Sequence, residues 1–151
     1  IGKSKVLWPA MAREEVLGDE SGLRFDVAFV ACGVMVKACL DAAAELETQG
    51  VMCVVADFAS IKPLDTELLV ALAKRSKVVI TAEEHSVIGG LGGAVCEILS
   101  DAHPMRVRRI GVNDKFGESG PAEALLEAYG LTARNVVREA KETLKDAATD
   151  R

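Results

Sequence analysis

Four apolar runs alternate along the chain with stretches whose apolar residues recur at helical spacing. Residues 26–31, 51–56 and 77–81 carry apolar side chains at nearly every interior position. Strands that are covered by helices on both faces have this composition, whereas half-exposed strands alternate between apolar and polar residues. The pattern therefore predicts an α/β fold, with a parallel sheet between two layers of helices.

The predicted helices carry their own boundary signals. In residues 34–49 a polar stripe recurs every three or four positions, and Gly50 follows as a stop. Asp65 is placed to cap a helix over residues 66–75. Further helices are predicted after the glycines of residues 89–93, after Pro121 with a stop at Gly130, and after a cap at Thr132.

The fourth apolar run, residues 105–112, differs from the others because it contains arginines. Arg106 and Arg108 share one face and Arg109 lies on the other, a pattern that an edge strand tolerates. Together with Lys115 they form the basic concentration of the chain. Aromatic residues, which would stack nucleic-acid bases, make up only 4% of the chain. We therefore interpret these residues as a solvated edge and not as a nucleic-acid surface.

The N-terminal segment is less regular than the rest. Residues 5–8 are interpreted as a short extra strand, and residues 13–22 as a polar loop. The chain is accordingly divided into an N-terminal edge strand and linker, residues 1–22, and one α/β domain, residues 23–151.

Composition narrows the class of protein. The chain has 151 residues, half of them apolar, which suffices for one domain with a continuous core and excludes intrinsic disorder. Its 18 Lys and Arg against 23 Asp and Glu give a net charge of −5, which argues against nucleic-acid or anionic-membrane partners. The uncharged apolar stretch at residues 27–36 is too short to span a bilayer. Because the chain begins at Ile1 without a start methionine, we expect it to be a piece of a larger protein.

The four cysteines indicate a reducing compartment. They are Cys32, Cys39, Cys53 and Cys96, without any C-x-x-C pair and each among apolar neighbours. We interpret them as reduced, mostly buried thiols of a cytoplasmic protein, not as a disulfide framework or a metal site. The first ten residues do not resemble a signal peptide.

The carboxyl ends of the predicted strands are where ligands of such sheets bind. Glu83, Glu84 and His85 follow the third apolar run, and two carboxylates beside a histidine could support acid–base chemistry. No nucleophile with a partner in fixed geometry accompanies them. The favoured interpretation is that the two glutamates flank a loop and that His85 caps or bonds neighbouring backbone.

The glycines of residues 89–93 resemble a dinucleotide-binding loop only in part. A G-x-G-x-x-G pattern that began at Gly90 would need glycine at position 95, which is Val95. A helix N-terminus opened by glycines could still bind a phosphate. Close packing of this helix on a strand or a partner is the favoured interpretation.

Five motifs follow one another along most of the chain. They occupy residues 26–33, 61–65, 83–85 with 89–92, 109–114 with 116–120, and 125–132. In this order they resemble the C-terminal domain of transketolase-like, thiamine-diphosphate-dependent enzymes. Deoxyxylulose-phosphate synthases usually have a different loop at residues 116–120, and the beta subunits of 2-oxo-acid dehydrogenases usually lack the Glu-Glu-His triplet, so the resemblance favours transketolase proper.

The resemblance implies a three-layer fold with a mostly parallel five-stranded sheet and one antiparallel edge strand at the N-terminus. It implies a cytoplasmic, homodimeric transketolase of the pentose phosphate pathway that moves two-carbon ketol units between sugar phosphates, with thiamine diphosphate as electron sink. The cofactor and Mg²⁺ would lie between thiamine-binding domains upstream, in the same chain or a separate one. No catalytic, cofactor-binding or metal-binding residue carries over to this chain, so the isolated domain would be inactive. Its role would be to complete the subunit and contribute dimer or interdomain contacts.

One crevice follows from the strand order of that family. Gly33, Glu83, Glu84, His85 and Gly92 would converge there, and we expect the crevice to pack against a neighbouring domain or subunit, or to accept a small anion.

Three alternatives for the function of the chain remain open. The chain could be the corresponding domain of a 1-deoxyxylulose-5-phosphate synthase, a protein-docking domain of a dehydrogenase beta subunit, or a free-standing regulator that binds an anion or nucleotide at the helix opened by residues 89–93.

Overall fold

Strands and helices alternate through most of the chain. The computed structural model describes residues 2–18, 22–113 and 119–150. The elements are β1 (Lys5–Trp8), α1 (Arg13–Leu17), β2 (Phe25–Ala31), α2 (Met35–Thr48), β3 (Cys53–Asp57), α3 (Thr66–Arg75), β4 (Ser76–Ser86), α4 (Leu91–Ala102), β5 (Val107–Val112), α5 (Ala122–Ala128) and α6 (Ala133–Thr149).

The strands form one five-stranded sheet within the described residues, in the order β1-β3-β2-β4-β5. β1 runs antiparallel to β3, and the other neighbours are parallel. This arrangement confirms both the mostly parallel sheet and the antiparallel edge strand that the resemblance implied. It also places β5 at the opposite edge, as its arginines predicted.

Helices cover both faces of the sheet, which explains why the central strands are apolar at successive positions. Val27 and Phe29 of β2 pack into a core with α2 and α6. Ala28 and Val30, one position out of phase, pack into a second core with α3 and α4. All four side chains are fully buried. The molecule is therefore the three-layer α/β/α sandwich that was predicted.

The prediction of a polar loop over residues 13–22 was wrong for its first half, because Arg13–Leu17 form a helix. One apolar side chain, Val16, is fully buried, and the charged side chain of Arg13 forms ion pairs with residues of the neighbouring helix segment. The Arg13 guanidinium lies 2.9 Å from the Asp65 carboxylate and 2.8 Å from that of Glu67. A single turn with one buried residue lacks the repeating apolar spacing by which longer helices are predicted.

Asp65 joins this helix to the rest of the domain. As predicted, it caps α3, accepting a hydrogen bond from Leu68 N at 3.2 Å, and it also accepts one from Ser4 N at 2.8 Å. Burial acts to raise the pKa of the Asp65 carboxyl, but the hydrogen bonds from Arg13, Ser4 and Leu68 outweigh burial and lower it. Asp65 therefore favours the folded state in its ionised form.

The arginines of the β5 region divide between the two faces as predicted. Arg106 pairs with Asp150 and Arg108 lies 3.4 Å from Asp146, so both reach the C-terminal half of α6. Arg109 points the other way and donates to the Val87 carbonyl at 2.9 Å. The edge is thus partly solvated and partly ion-paired to α6, while Lys115 lies outside the described residues.

Candidate functional site

The crevice at the centre of the sheet lies where the strand order reverses. β2 and β4 are neighbours, and the chain leaves β2 towards β3 on one side but continues from β4 towards β5 on the other. Cys32 N donates to the Ala82 carbonyl at 3.1 Å just past the end of β2. A Cβ on Gly33 would stand 3.6 Å from Glu84 Oε1. The structure therefore brings Gly33 and Glu84 together at a position where α/β sheets bind ligands or partners.

Glu83 lies beneath this crevice and is fully buried. Its Oε2 accepts a hydrogen bond from Leu91 N at 2.8 Å, and its Oε1 accepts one from Gly92 N at 2.9 Å. Both N–H groups belong to the first turn of α4, where no carbonyl of the helix can accept their hydrogen bonds. The carboxylate therefore occupies the position at which a helix N-terminus would bind an external anion.

Glycines make this contact possible. A Cβ on Gly90 would stand 2.0 Å from Glu83 Oε2, and a Cβ on Gly92 would stand 2.8 Å from Thr81 Oγ1. On the other side of Glu83, a Cβ on Gly111 would lie 2.8 Å from the His85 carbonyl oxygen. Close packing of α4 on a strand, the favoured interpretation, is confirmed for Gly90 and Gly92, whereas a Cβ on Gly89 or Gly93 would meet nothing within 4 Å.

The Glu-Glu-His triplet belongs to a strand and not to a loop. β4 continues to Ser86, which pairs with Val112 of β5, so the expected loop was wrong. Glu84 and His85 are exposed, whereas Glu83 is buried. The His85 side chain makes no hydrogen bond or ion pair with any residue that the structure describes. Because both oxygens of Glu83 are engaged with α4, the arrangement does not provide a pair of free carboxylates for acid–base chemistry.

Exposed apolar side chains also follow the carboxyl ends of the parallel strands, a feature that sequence reasoning missed. Val34, Ile61 and Ile88 are 50%, 40% and 65% exposed. Each follows the carboxyl end of a parallel strand, β2, β3 or β4, so all three lie at one edge of the sheet. Together with Glu84 and His85 they are called the strand-end surface below. Apolar residues just beyond predicted strand ends were the available signal.

Cys32 lies at the same edge but is not a reactive group. Burial raises the pKa of its thiol to about 11, and the nearby carboxylates of Glu83, Asp57 and Glu84 act in the same direction. The thiolate is the form that attacks electrophiles and binds metals. Cys32 therefore stays protonated near neutral pH, and all four cysteines of the chain are free thiols.

Two features that thiamine diphosphate with Mg²⁺ would use, a cluster of metal ligands and free N–H groups at the start of α4, are absent from the described residues. Across residues 2–18, 22–113 and 119–150, no group of three or more His, Cys, Asp or Glu side chains is arranged to hold a metal ion. The N–H groups of α4 that could bind a diphosphate are occupied by Glu83. In the same described residues, no helix combines the length and the apolar character needed to cross a membrane.

Comparison with known proteins agrees with this geometry. The family model for the C-terminal domain of transketolase matches residues 20–136, about three quarters of the chain. The chain belongs to the transketolase C-terminal domain family.

Two curated relatives and one solved structure are the most informative. The 6-deoxy-6-sulfo-D-fructose transketolase subunit SqwH of Clostridium sp. (strain MSTE9) is 45% identical over 131 residues, which is 85% of this chain and 41% of that subunit. The 1-deoxy-D-xylulose-5-phosphate synthase of Heliobacterium modesticaldum is 42% identical over 127 residues, 83% of this chain and 20% of the synthase. A solved split-gene transketolase, an inactive β4 tetramer, superposes with a TM-score of 0.81 at 48% identity, covering 95% of this chain and 43% of that one. The chain thus spans less than half the length of each.

Proposed function

We propose that this chain is the C-terminal, non-catalytic part of a transketolase that transfers two-carbon ketol units between sugar phosphates. The observation that carries the proposal is the 48% identity to the split-gene transketolase over 95% of the chain. The 45% identity to a 6-deoxy-6-sulfo-D-fructose transketolase subunit supports the transketolase part of the proposal, with a sulfosugar as the substrate named for that relative. Thiamine diphosphate, bound by the enzyme's other domains, supplies the electron sink for this chemistry.

The role proposed for this chain is to complete the subunit through the strand-end surface. Ile88, at 65% exposure, is the most exposed large apolar side chain that the structure describes, and Val34 and Ile61 lie at the same edge. Burial of such side chains against a neighbouring domain would remove apolar area from water at roughly 25 cal/mol per Å². Because Glu83 already occupies the N-terminus of α4, the interdomain role of the crevice is favoured over the small-anion role. Dimer contacts are proposed for the assembled enzyme.

A binding experiment tests whether the cofactor belongs to other domains. Calorimetric titration of this chain with thiamine diphosphate and Mg²⁺ is expected to give no binding, because the described residues do not fit the group. The same titration on a complex with the upstream thiamine-binding section is expected to give saturable binding. Saturable binding to this chain alone would contradict the proposal.

Alanine at His85 tests the proposed crevice. His85 is exposed and makes no side-chain hydrogen bond with the described residues, so its replacement should leave the isolated chain as stable as before. In the assembled enzyme, the His85→Ala variant is expected to weaken assembly or lower activity. Unchanged assembly and kinetics would remove His85 from the proposed interface.

A second candidate is the C-terminal domain of a 1-deoxyxylulose-5-phosphate synthase, which the 42% identity over 127 residues supports. The two candidates predict different products from the assembled enzyme. Ketol transfer between sugar phosphates is expected for the first, and formation of 1-deoxyxylulose 5-phosphate for the second. Measuring both activities on one preparation distinguishes them.

A further inference from the structure

A groove along the outer edge of β5 is lined, within the described residues, by more basic than acidic side chains, opposite in sign to the net charge of the whole chain. Its volume is about 550 Å³, and four consecutive residues of the strand, 108–111, line it together with the turn between α5 and α6 and the first part of α6. Side chains of consecutive strand residues point to opposite faces, so the groove runs along the edge of the strand. We call it the β5 groove.

Arginines dominate the charge of this groove. Among the described residues, Arg108, Arg134 and Arg138 line it against two acids, Glu127 and Glu139. Arg109 also borders the groove, but its side chain lies on the α4 side of the strand and donates to the Val87 carbonyl. The whole chain, in contrast, has a net charge of −5. A concave site with an excess of one charge raises the local concentration of the opposite ion.

The contacts of these arginines leave donors available. Arg108 Nε and Arg138 Nη2 each lie 3.5 Å from the same carboxylate, that of Glu139, which is longer than a good charged hydrogen bond. Arg134 is exposed and makes no hydrogen bond or ion pair within the described part of the chain. Arg138 Nη2 also donates to Asn135 Oδ1, and Arg108 Nε donates to Thr143 Oγ1 at 3.3 Å. The N–H groups that can turn towards a ligand without breaking a contact are therefore chiefly those of Arg134.

The position of Arg134 is also unfavourable unless an anion is nearby. It lies in the first turn of α6, a 17-residue helix with no acidic residue in that turn. The N-terminus of a helix carries partial positive charge, so a cation there is repelled and an anion is attracted. Arg134 and the helix N-terminus thus act on the same region of the groove with the same sign.

We infer that the β5 groove binds a small oxyanion that carries two negative charges, with phosphate or a phosphoryl group as the class. The planar guanidinium fork matches the oxygen geometry of such groups. This inference does not rest on the proposed transketolase function, and the groove is separate from the strand-end surface. The ligand could be free phosphate or the phosphoryl group of a metabolite, and both present the same chemistry to the arginines.

The test is calorimetric titration of the full chain at low ionic strength with inorganic phosphate and, in a second series, with ribose 5-phosphate. Saturable binding at one site per chain is expected, weakened by added salt because exposed charges are screened. Tighter binding of ribose 5-phosphate would identify a metabolite site, and equal affinities would identify free phosphate. Absence of saturable binding of either probe at millimolar concentrations would overturn the inference.

Variants locate the site. Arg134→Ala with Arg138→Ala is expected to weaken binding roughly tenfold or more, since hydrogen bonds to charged groups are lost. Both side chains are exposed, so folding should be retained. Arg24→Ala is the matched control, because Arg24 is also exposed but its guanidinium donates to the Leu23 carbonyl away from the groove. Equal weakening by Arg24→Ala would overturn the inference.

A stability measurement gives a second readout. Phosphate should raise the melting temperature of the parent chain through binding to the folded state. Without phosphate, Arg134→Ala should raise it slightly, because a repelled cation is removed from the first turn of α6. The double variant should show no increase with phosphate. An equal increase in the parent and the double variant would contradict a site at these arginines.

Discussion

Glu83 and Gly90 should behave as one structural unit, and a double-mutant cycle tests this. Glu83→Ala removes the carboxylate that accepts hydrogen bonds from Leu91 N and Gly92 N. Gly90→Ala introduces a Cβ that would stand 2.0 Å from Glu83 Oε2, so the carboxylate must leave its position. The backbone of Gly90, at φ −97° and ψ −156°, is extended and suits alanine. The contact with Glu83 is therefore the cause of any loss of stability.

The magnitude follows from the two lost hydrogen bonds. A hydrogen bond to a charged group contributes roughly 1.5–3 kcal/mol. Removing the carboxylate also removes the cost of keeping a charge away from water, which offsets part of the loss. We expect each single variant to lower the free energy of unfolding by about 3 kcal/mol. In the double variant the displaced carboxylate is absent, so the second substitution should add at most about 1 kcal/mol. The expected coupling energy is about 2–3 kcal/mol, at the upper end for contacting residues.

Urea unfolding followed by circular dichroism measures all four corners of the cycle. Gly93→Ala is the control, because Gly93 lies in the same helix and a Cβ there would meet nothing within 4 Å. That variant should gain roughly 0.5–1 kcal/mol, as alanine favours a helix over glycine. Additive losses at Glu83 and Gly90, with the double variant about 6 kcal/mol less stable, would refute the reasoning.

Three further predictions concern other parts of the chain. Asp65 has a lowered pKa, so its contribution to stability is complete above the pKa of an unfolded aspartate and is lost as the pH falls through the lower folded value. The free energy of unfolding of the Asp65→Asn variant should therefore fall less steeply with decreasing pH in that range than that of the parent chain, and an equal slope would argue against this role. With Cys96 replaced by serine, Cys32 should react with a maleimide roughly a hundred times more slowly at neutral pH than an ordinary thiol, with the rate rising up to about pH 11; rapid reaction at neutral pH would contradict its high pKa. Ile88→Lys should leave the stability of the isolated chain nearly unchanged but weaken its assembly with the upstream section. Met52 is 52% exposed at the other end of the sheet, so Met52→Lys should not weaken assembly. Equal effects of the two variants on assembly would argue against the strand-end surface.

The buried strands and capped helices were predictable because their signals are local. Two-sided burial makes β2 apolar at consecutive positions, and a capping side chain marks the start of α3 at Asp65 and of α6 at Thr132. The resemblance to a family supplied what the local pattern left open, the direction of β1. α1 escaped prediction because one buried residue, Val16, does not make a periodic pattern.

The site was harder to predict because its meaning depends on contacts between distant residues. A glutamate followed by Glu84 and His85 is typical of an exposed loop. Only the fold brings the Glu83 carboxylate to the N–H groups of residues eight and nine positions later. The glycines of residues 89–93 likewise differ in role. Gly90 is needed for contact with Glu83, whereas Gly93 has open space around it. No spacing rule in the sequence separates the two.

Reconstitution with an upstream thiamine-binding section tests the central claim most directly. The section should be titrated with this chain while ketol transfer between sugar phosphates is measured in the presence of thiamine diphosphate and Mg²⁺. If this chain completes the subunit without contributing catalytic residues, neither part alone is active, and activity rises with added chain until the two are equimolar. Ketol transfer by this chain alone, or full activity of the upstream section without it, would contradict the account.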